Sequence, residues 1–377
     1  MKRIAALVPN ILGVAPGQRV RIETWAEHLR AAGWEVDFYP FEDERLHEVL
    51  YHPAPPHVKL ARLASCYKER LKLLKTGPPC DVLFICREIA LVGPELIESR
   101  FRRPGVPIIY DVDDPVFLPY RSPMNGWFSL LKFPRKTHRL FRLSDHIIAI
   151  NGLLADYARR FNPSVSIVPN CVDTDKYCPA PRTDDGVVRL VWIGSHSTMQ
   201  NLRAIERALT GLDNDAPAVL RIIGPSEVSF AGIPTEVKRW SAETEVGELQ
   251  SSDIGLLPLI DHSWHPWKFF FKTVQYMAVG LPVVARRMGS NAEIIQDGVN
   301  GFLVETEDEW RDRLRLLIQD AALRKRMGAA ARATVVERFS THVQMPRVVS
   351  IFEEVLARSR NQTRAVSPDK GLAINAG

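Results

Sequence analysis

Two groups of side chains in this chain have the types and spacing to do chemistry. Asp111, Asp113 and Asp114 follow the apolar run PIIY and crowd three carboxylates into four residues. Their mutual repulsion calls for nearby donors or cations. A metal ion competes with a ligand-facing role for them, but no further His or carboxylate cluster is spaced to complete its shell. A plainer reading makes Asp114-Pro115 a turn, with Asp111 bonded to backbone amides. The second group is cationic: Lys268 and Lys272 lie four residues apart and share one face if a helix begins that early. The company of Trp264, Trp267 and three consecutive phenylalanines argues against a merely solubilising role.

Each group depends on the elements that hold it. Phe271, Val274, Gln275 and Ala278 recur at helical spacing, Gly280 supplies a helix stop, and LPVVA is an apolar run suited to a parallel strand. Met288-Gly289-Ser290-Asn291 then makes a permissive turn before Glu293. This succession, from Lys268 to Val304, resembles the C-terminal half-site of the GT-B glycosyltransferases, specifically the large retaining family 4 (group 1). The resemblance runs from about Ile4 to Glu354. It implies a nucleoside diphosphate sugar as donor, no cofactor, no metal, and a helix whose N-terminal amides meet the donor diphosphate. Taken alone, the segment is also what any βαβ unit of a doubly wound protein offers.

The resemblance assigns further positions. WIGSHSTMQNL would open the nucleotide domain, with Gly194 and Ser195 letting phosphates approach the backbone. The family commonly carries an Arg and a Lys in this loop. Ser195 and Gln200 stand there instead, so Lys268 and Lys272 become the expected phosphate cations. The family's EX7E pair falls on Trp267 and Gln275. An amide still bonds ribose hydroxyls, though without a carboxylate's charge-assisted strength, so Gln275→Glu is expected to hold the donor as well or better. Glu293 is the expected hexose-binding carboxylate.

The first loop, GVAPGQRVR, lacks the dinucleotide GxGxxG fingerprint, and Gly13 would let backbone amides approach donor or acceptor. Arg19 and Arg21, two apart, cannot share a helical face, so one is expected to turn to the ligand and the other to solvent; Arg19 is assigned to the acceptor side. Arg87, Glu88 and Asp111 join it there, although an Arg-Glu pair is also a common solvated cap. Asp113 aligns with the family's His or Asp beside the anomeric region. Asp113, Lys272 and Glu293 thus form the expected catalytic set. PNCVD matches the family's PNGVD with Cys171 in place of glycine, which predicts strain if that backbone needs positive φ. No His partner marks Cys171 as a nucleophile.

Composition sets the outer bounds. With 377 residues, 46% hydrophobic and 25% charged, the chain suits two globular α/β domains. No apolar run reaches the ~18 to 20 residues that span a bilayer. The N-terminus imitates a signal peptide, but Pro9 interrupts it, and Lys2 to Val8 reads as a first strand. Five scattered cysteines without a CxxC pair point to a reducing cytoplasm. The stretch 127–142 mixes Lys132, Arg135, Lys136, Arg139 and Arg142 with aromatic and apolar residues. It suits peripheral contact with the inner, anionic face of a membrane, and also an ordinary helix with its apolar side in the core. No recognition-helix or RNA-binding motif supports nucleic-acid binding.

Short apolar runs ended by turn residues alternate with helical stretches throughout, with a changeover near Pro179 to Gly186. The expected fold is α/β: GT-B, two Rossmann-like doubly wound domains facing across a cleft. The domains are expected at 1–181 plus a returning helix 346–358, and at 186–344. A helical region from Arg324 to Arg358 should break near Ser340 to Pro346, and 359–377 should be a loosely ordered tail. The expected activity is retaining transfer of a sugar to a glycan, lipid-linked or small-molecule acceptor hydroxyl, in bacterial glycan, glycolipid or glycosylated metabolite synthesis. The alternatives are a sugar-nucleotide epimerase of the same fold and a catalytically silent nucleotide-binding protein, the latter favoured by the missing EX7E glutamates.

Overall fold

Short apolar runs become parallel strands where both their faces can be buried, and this happens twice along the chain. The computed structural model describes all residues except 53, 94–96, 120–132, 134, 182–184, 215, 225–227 and 367–377. Two compact units result, Met1–Val168 with Met345–Gly377, and Pro169–Gln344.

The first unit holds β1 (Lys2–Val8), β2 (Trp34–Pro40), β3 (Val82–Cys86), β4 (Ile108–Val112), β5 (His146–Ala149) and β6 (Val165–Ile167), in the order β2-β1-β3-β4-β5-β6. Every pairing is parallel. β3 is buried along its whole length, as a strand covered on both faces must be. The connecting helices include α1 (Thr24–Ala31), α2 (Pro56–Thr76), α3 (Lys136–Leu143) and α4 (Gly152–Arg159), the last capped by the Asn151 side chain accepting from Leu154 N.

The second unit repeats the plan with β7 (Val188–Ile193), β8 (Ala218–Gly224), β9 (Thr235–Arg239), β10 (Ile254–Leu257), β11 (Val283–Arg286) and β12 (Gly301–Val304), ordered β12-β11-β10-β7-β8-β9. Its helices include α5 (Met199–Arg203), α6 (Glu245–Gln250), α7 (Phe271–Ala278), the single turn α8 (Asn291–Ile294), α9 (Glu307–Gln319) and α10 (Ala321–Arg338). In each sheet the chain reverses direction once, between β1 and β3 and between β7 and β10. Open α/β sheets bind ligands outside the carboxyl ends of the strands at such reversals. Two such doubly wound units are what the expected GT-B fold calls for.

Several expectations change. β9, TEVKR, is an additional edge strand whose half-exposed polar residues hide it from an apolar-run reading. The units divide at Val168/Pro169 rather than between 181 and 186. Val172 N donates to Phe339 O at 2.9 Å, and Arg332 donates to the carbonyls of Thr174 and Tyr177, which ties 169–178 to α10. The helical break falls at Phe339–Ser340, and α11 (Thr341–Val366) passes through Pro346 and on beyond Arg358. Residues 359–366 are therefore helical, and 367–377 lie outside the described residues. From Met345 onward α11 belongs to the first unit, where Phe352 packs between Trp34 and Phe84. Among the described residues, no helix is long and apolar enough to cross a membrane.

Candidate functional site

At the carboxyl ends of β3 and β4 the three aspartates are separated by the cations that hold them. Arg21 clasps Asp111 through Nε and Nη2 at 2.8 and 2.5 Å, and both side chains are fully buried. The same guanidinium donates to Val168 O and stacks over Trp25. Arg87 clasps Asp113 at 2.8 and 2.5 Å and reaches Asp114 at 3.2 Å. Burial pushes the Asp111 carboxyl up despite Arg21. Burial acts the same way on Asp113, but the Arg87 charge outweighs it and holds that carboxyl below the usual range.

These pairs correct the expected acceptor side. Asp111 offers no oxygen to a ligand, because Arg21 covers it at 0% exposure. Glu88 is buried against Lys136 at 2.5 Å and is no solvated cap, and Lys136 also donates to Ala90 O. Arg19 is the exposed arginine and Arg21 the buried one. Arg21 leaves helical geometry at φ −111°, ψ −106°, inside a widened turn that precedes α1. Such local departures often mark a position where a side chain is needed elsewhere. Arg87 sits at φ +59°, a strained conformation for a residue with a Cβ. Gly17 closes the arrangement: a Cβ there would lie 2.7 Å from both Arg87 Nη2 and Asp113 Oδ2. Gly13 has φ +80°, is exposed, and donates its amide to Glu23. The strain expected at Cys171 is not found, since its φ is not positive.

Of the basic stretch 127–142, residues 127–132 and 134 lie outside the described residues. In α3, Lys136, Thr137, Leu140 and Phe141 are buried, and Arg142 covers Phe161 at 5.0 Å. Lys136 is thus a core ion-pair partner and no membrane-facing cation. Among the described residues no group of three His, Cys, Asp or Glu side chains is placed to hold a metal ion.

The second unit gathers the other group. Gly194 ends β7, where a Cβ would run into the Trp192 indole at 2.3 Å. Ser195 caps the turn His196–Thr198 through a reciprocal box with Thr198. Asn201, in α5, accepts from Ile260 N and so ties the loop after β7 to the loop after β10. Lys272 stands in the first turn of α7 with Nζ 5.2 Å from the Trp192 ring. Among the described residues no carboxylate pairs with it. Burial, with a smaller contribution from Lys268, pushes its pKa down to about 8. No side chain caps the N-terminus of α7.

Lys268 does not share that helical face. It caps the turn His265–Trp267 in extended geometry, three residues before α7, with Nζ 5.8 Å from the Trp264 ring. Hydrogen bonds bring it close by another route. Ser290 N donates to Lys268 O, Phe270 N donates to Ser290 Oγ, and Thr273 Oγ1 donates to Asn291 Oδ1. Gly289, at φ +54°, permits this approach, since a Cβ would lie 2.5 Å from His265 O. The α8 turn stitched down in this way carries Glu293, exposed, its carboxyl pushed up by partial burial against the Arg338 charge.

Gln275 is 7% exposed on α7. Its Nε2 donates to Glu245 Oε1 at 2.6 Å and to Tyr177 Oη at 3.2 Å. Sequence reasoning missed Glu245, because its partners come from the linker after β6, the end of β9 and α7, and no local spacing joins them.

The family model for Glycosyltransferase Family 4 matches residues 16–176, and that for Glycosyl transferases group 1 matches 182–320. N-acetyl-alpha-D-glucosaminyl L-malate synthase of Bacillus anthracis is 25% identical over 326 residues, 84% of this chain and 77% of that protein. Sucrose-phosphate synthase from Thermosynechococcus elongatus superposes with a TM-score of 0.70 at 14% identity, covering 95% of this chain and 100% of the other. Anabaena HepE, solved in complex with UDP and glucose, superposes with a TM-score of 0.64 at 14% identity, covering 94% and 100%. At these identities the two solved structures establish a shared fold.

Proposed function

Because this chain belongs to the GT-B glycosyltransferases of group 1, we propose that it moves a sugar from a nucleoside diphosphate donor to an acceptor hydroxyl with retention of configuration, without a metal or cofactor. The observation that carries this reading is Lys272, a partly buried cation with no carboxylate pairing to it among the described residues, beside an uncapped helix N-terminus. Burying a cation without a counter-charge is unfavourable, and a diphosphate supplies that charge. As the bond from anomeric carbon to phosphate oxygen breaks, negative charge grows on the leaving diphosphate. Lys272, Lys268, the first amides of α7 and the backbone at Gly194 and Ser195 stabilise it. The acceptor oxygen bonds to the same face of the sugar, and its proton passes to the departing diphosphate or to water.

Glu293, on the turn stitched to Lys268, binds the hexose hydroxyls in this reading, and the Gln275 carbonyl accepts from the ribose. The Arg87–Asp113 pair, backed by Gly17, shapes the acceptor side, with Arg19 at its exposed edge. Acceptors fitting the reading are glycans, lipid-linked sugars or small metabolites of a bacterial cytoplasm, as with the malate-linked product named for the Bacillus anthracis relative. UDP-sugars are the first donors to test, since HepE was solved with UDP and glucose. Mass spectrometry of a nucleotide-sugar panel incubated with the protein should reveal slow hydrolysis of one donor, unaffected by EDTA. A panel in which no donor is consumed or bound would remove the reading.

A further inference from the structure

The buried carboxylates at the carboxyl ends of β3 and β4 are answered by cations: Asp111 by Arg21, Asp113 by Arg87, Glu88 by Lys136. Glu245 in the second unit is different. It is 7% exposed, and its side-chain partners among the described residues are all neutral: Gln275 Nε2, the Tyr177 hydroxyl, and Trp240 Nε1 at 2.5 Å. Among the described residues no Lys or Arg pairs with it. A carboxylate accepts and never donates, so this arrangement fixes which end of the Gln275 amide faces Glu245. The NH2 is held there, and Oε1 points the other way. That oxygen accepts no hydrogen bond from a described residue, and it is not among the sealed-off polar atoms of the interior. The chain thus holds an acceptor oxygen ready on α7, in the turn after Lys272.

We propose that Glu245 is a positioning residue for donor recognition: it locks the Gln275 amide so that Oε1 accepts a hydroxyl proton from the donor's ribose. This rests on the donor reading of the second unit. It also reverses what the sequence suggests for Gln275→Glu. A carboxylate at position 275 would face Glu245 across the present 2.6 Å contact, and like charges at that range repel. The negative charge that the family motif carries on the helix stands here on α6, and only one of the two positions can hold it.

The test uses the full chain and calorimetric titration with UDP, GDP and ADP and with their 2′-deoxy and 3′-deoxy forms. Wild type should prefer a ribose diphosphate over one of its deoxy forms by about fivefold to tenfold, the value of one hydrogen bond. Glu245→Gln should erase most of that preference while keeping its thermal transition, because the amide pair no longer fixes the orientation. Gln275→Glu should weaken binding and lose the preference. Combining Glu245→Gln with Gln275→Glu restores one carboxylate facing one amide and should recover the preference to within about threefold of wild type. A purely structural contact would alter stability in these variants and leave the ratio of deoxy to ribose affinity unchanged. Diphosphate binding with the ratio unchanged in Glu245→Gln, or with no rescue in the combined variant, overturns the positioning role and leaves the donor reading standing. Absence of any diphosphate binding by wild type overturns both. If Glu245→Gln fails to fold, the combined variant decides alone.

Discussion

The loops after β3 and β4 and the surroundings of α7 handle charge in opposite ways. In the first unit cation and carboxylate meet: Arg21 with Asp111, Arg87 with Asp113 and Asp114, Lys136 with Glu88. Around α7 in the second unit they stand apart, with Lys272 against an indole and Glu245 among neutral donors, although Arg286 at the end of β11 pairs with Asp261 after β10. The first arrangement is complete without a ligand. In the proposed reading an anion and a polyol complete the second. A cluster of charges in sequence therefore marked a framework, and the separated charges around α7 carry the proposed donor site.

The largest effect should come from breaking the framework. Arg21→Met leaves Asp111 buried without its partner and should destabilise the protein by about 3 to 5 kcal/mol in denaturant titrations. Pairing it with Asp111→Leu should recover most of that loss, because two apolar side chains leave no charge uncompensated. A single substitution that proved nearly neutral would dissolve the contrast between the units.

Next in size is Lys272→Met, which should lower donor turnover about tenfold to hundredfold, the value of a charge-assisted phosphate contact. Stability should move the other way. The folded pKa of about 8 lies below the unfolded value, so at neutral pH the fold carries a protonated amine it disfavours. Removing it should raise stability by on the order of 1 kcal/mol. Lost activity with unchanged or lower stability would instead make Lys272 part of the scaffold.

A smaller change should follow pH. Because Lys272 loses its proton as pH rises through about 8, kcat/KM for the donor should decline across that range in wild type and stay flat in Lys272→Met. EDTA should have the smallest effect, none, since the aspartates are held by arginines. Activity lost with EDTA and restored by magnesium or manganese would show that the arginine pairs open to admit a metal.

Much of the fold was legible because parallel strands buried on both faces leave apolar runs such as VLFIC and VRLVWI, and glycines such as Gly280 end helices visibly. β9 escaped because an edge strand keeps a polar face, and the break in the last helices falls at Ser340, where it was expected to begin, but does not reach Pro346, which α11 absorbs within its second turn. In the site, the need of the aspartates for cations could be read from their crowding, but not which arginine would answer. A kink at Arg21 and a positive φ at Arg87 decide that, and neither is written in local spacing. Lys268 shares no helical face with Lys272 because the helix starts only at Phe271, so the condition of an early start is not met. Glu245 was invisible for a similar reason, since its partners converge only in the folded unit.

The central claim is that the second unit's mismatched charges await a nucleoside diphosphate. Calorimetric titration of the full chain with UDP, GDP and ADP at neutral pH, repeated on Lys272→Met, tests it directly. At least one diphosphate should bind to wild type, with affinity reduced about tenfold or more in the variant, the loss expected for one charge-assisted phosphate contact. Binding that is equal in the two proteins, or no binding of any diphosphate to wild type, would contradict the claim.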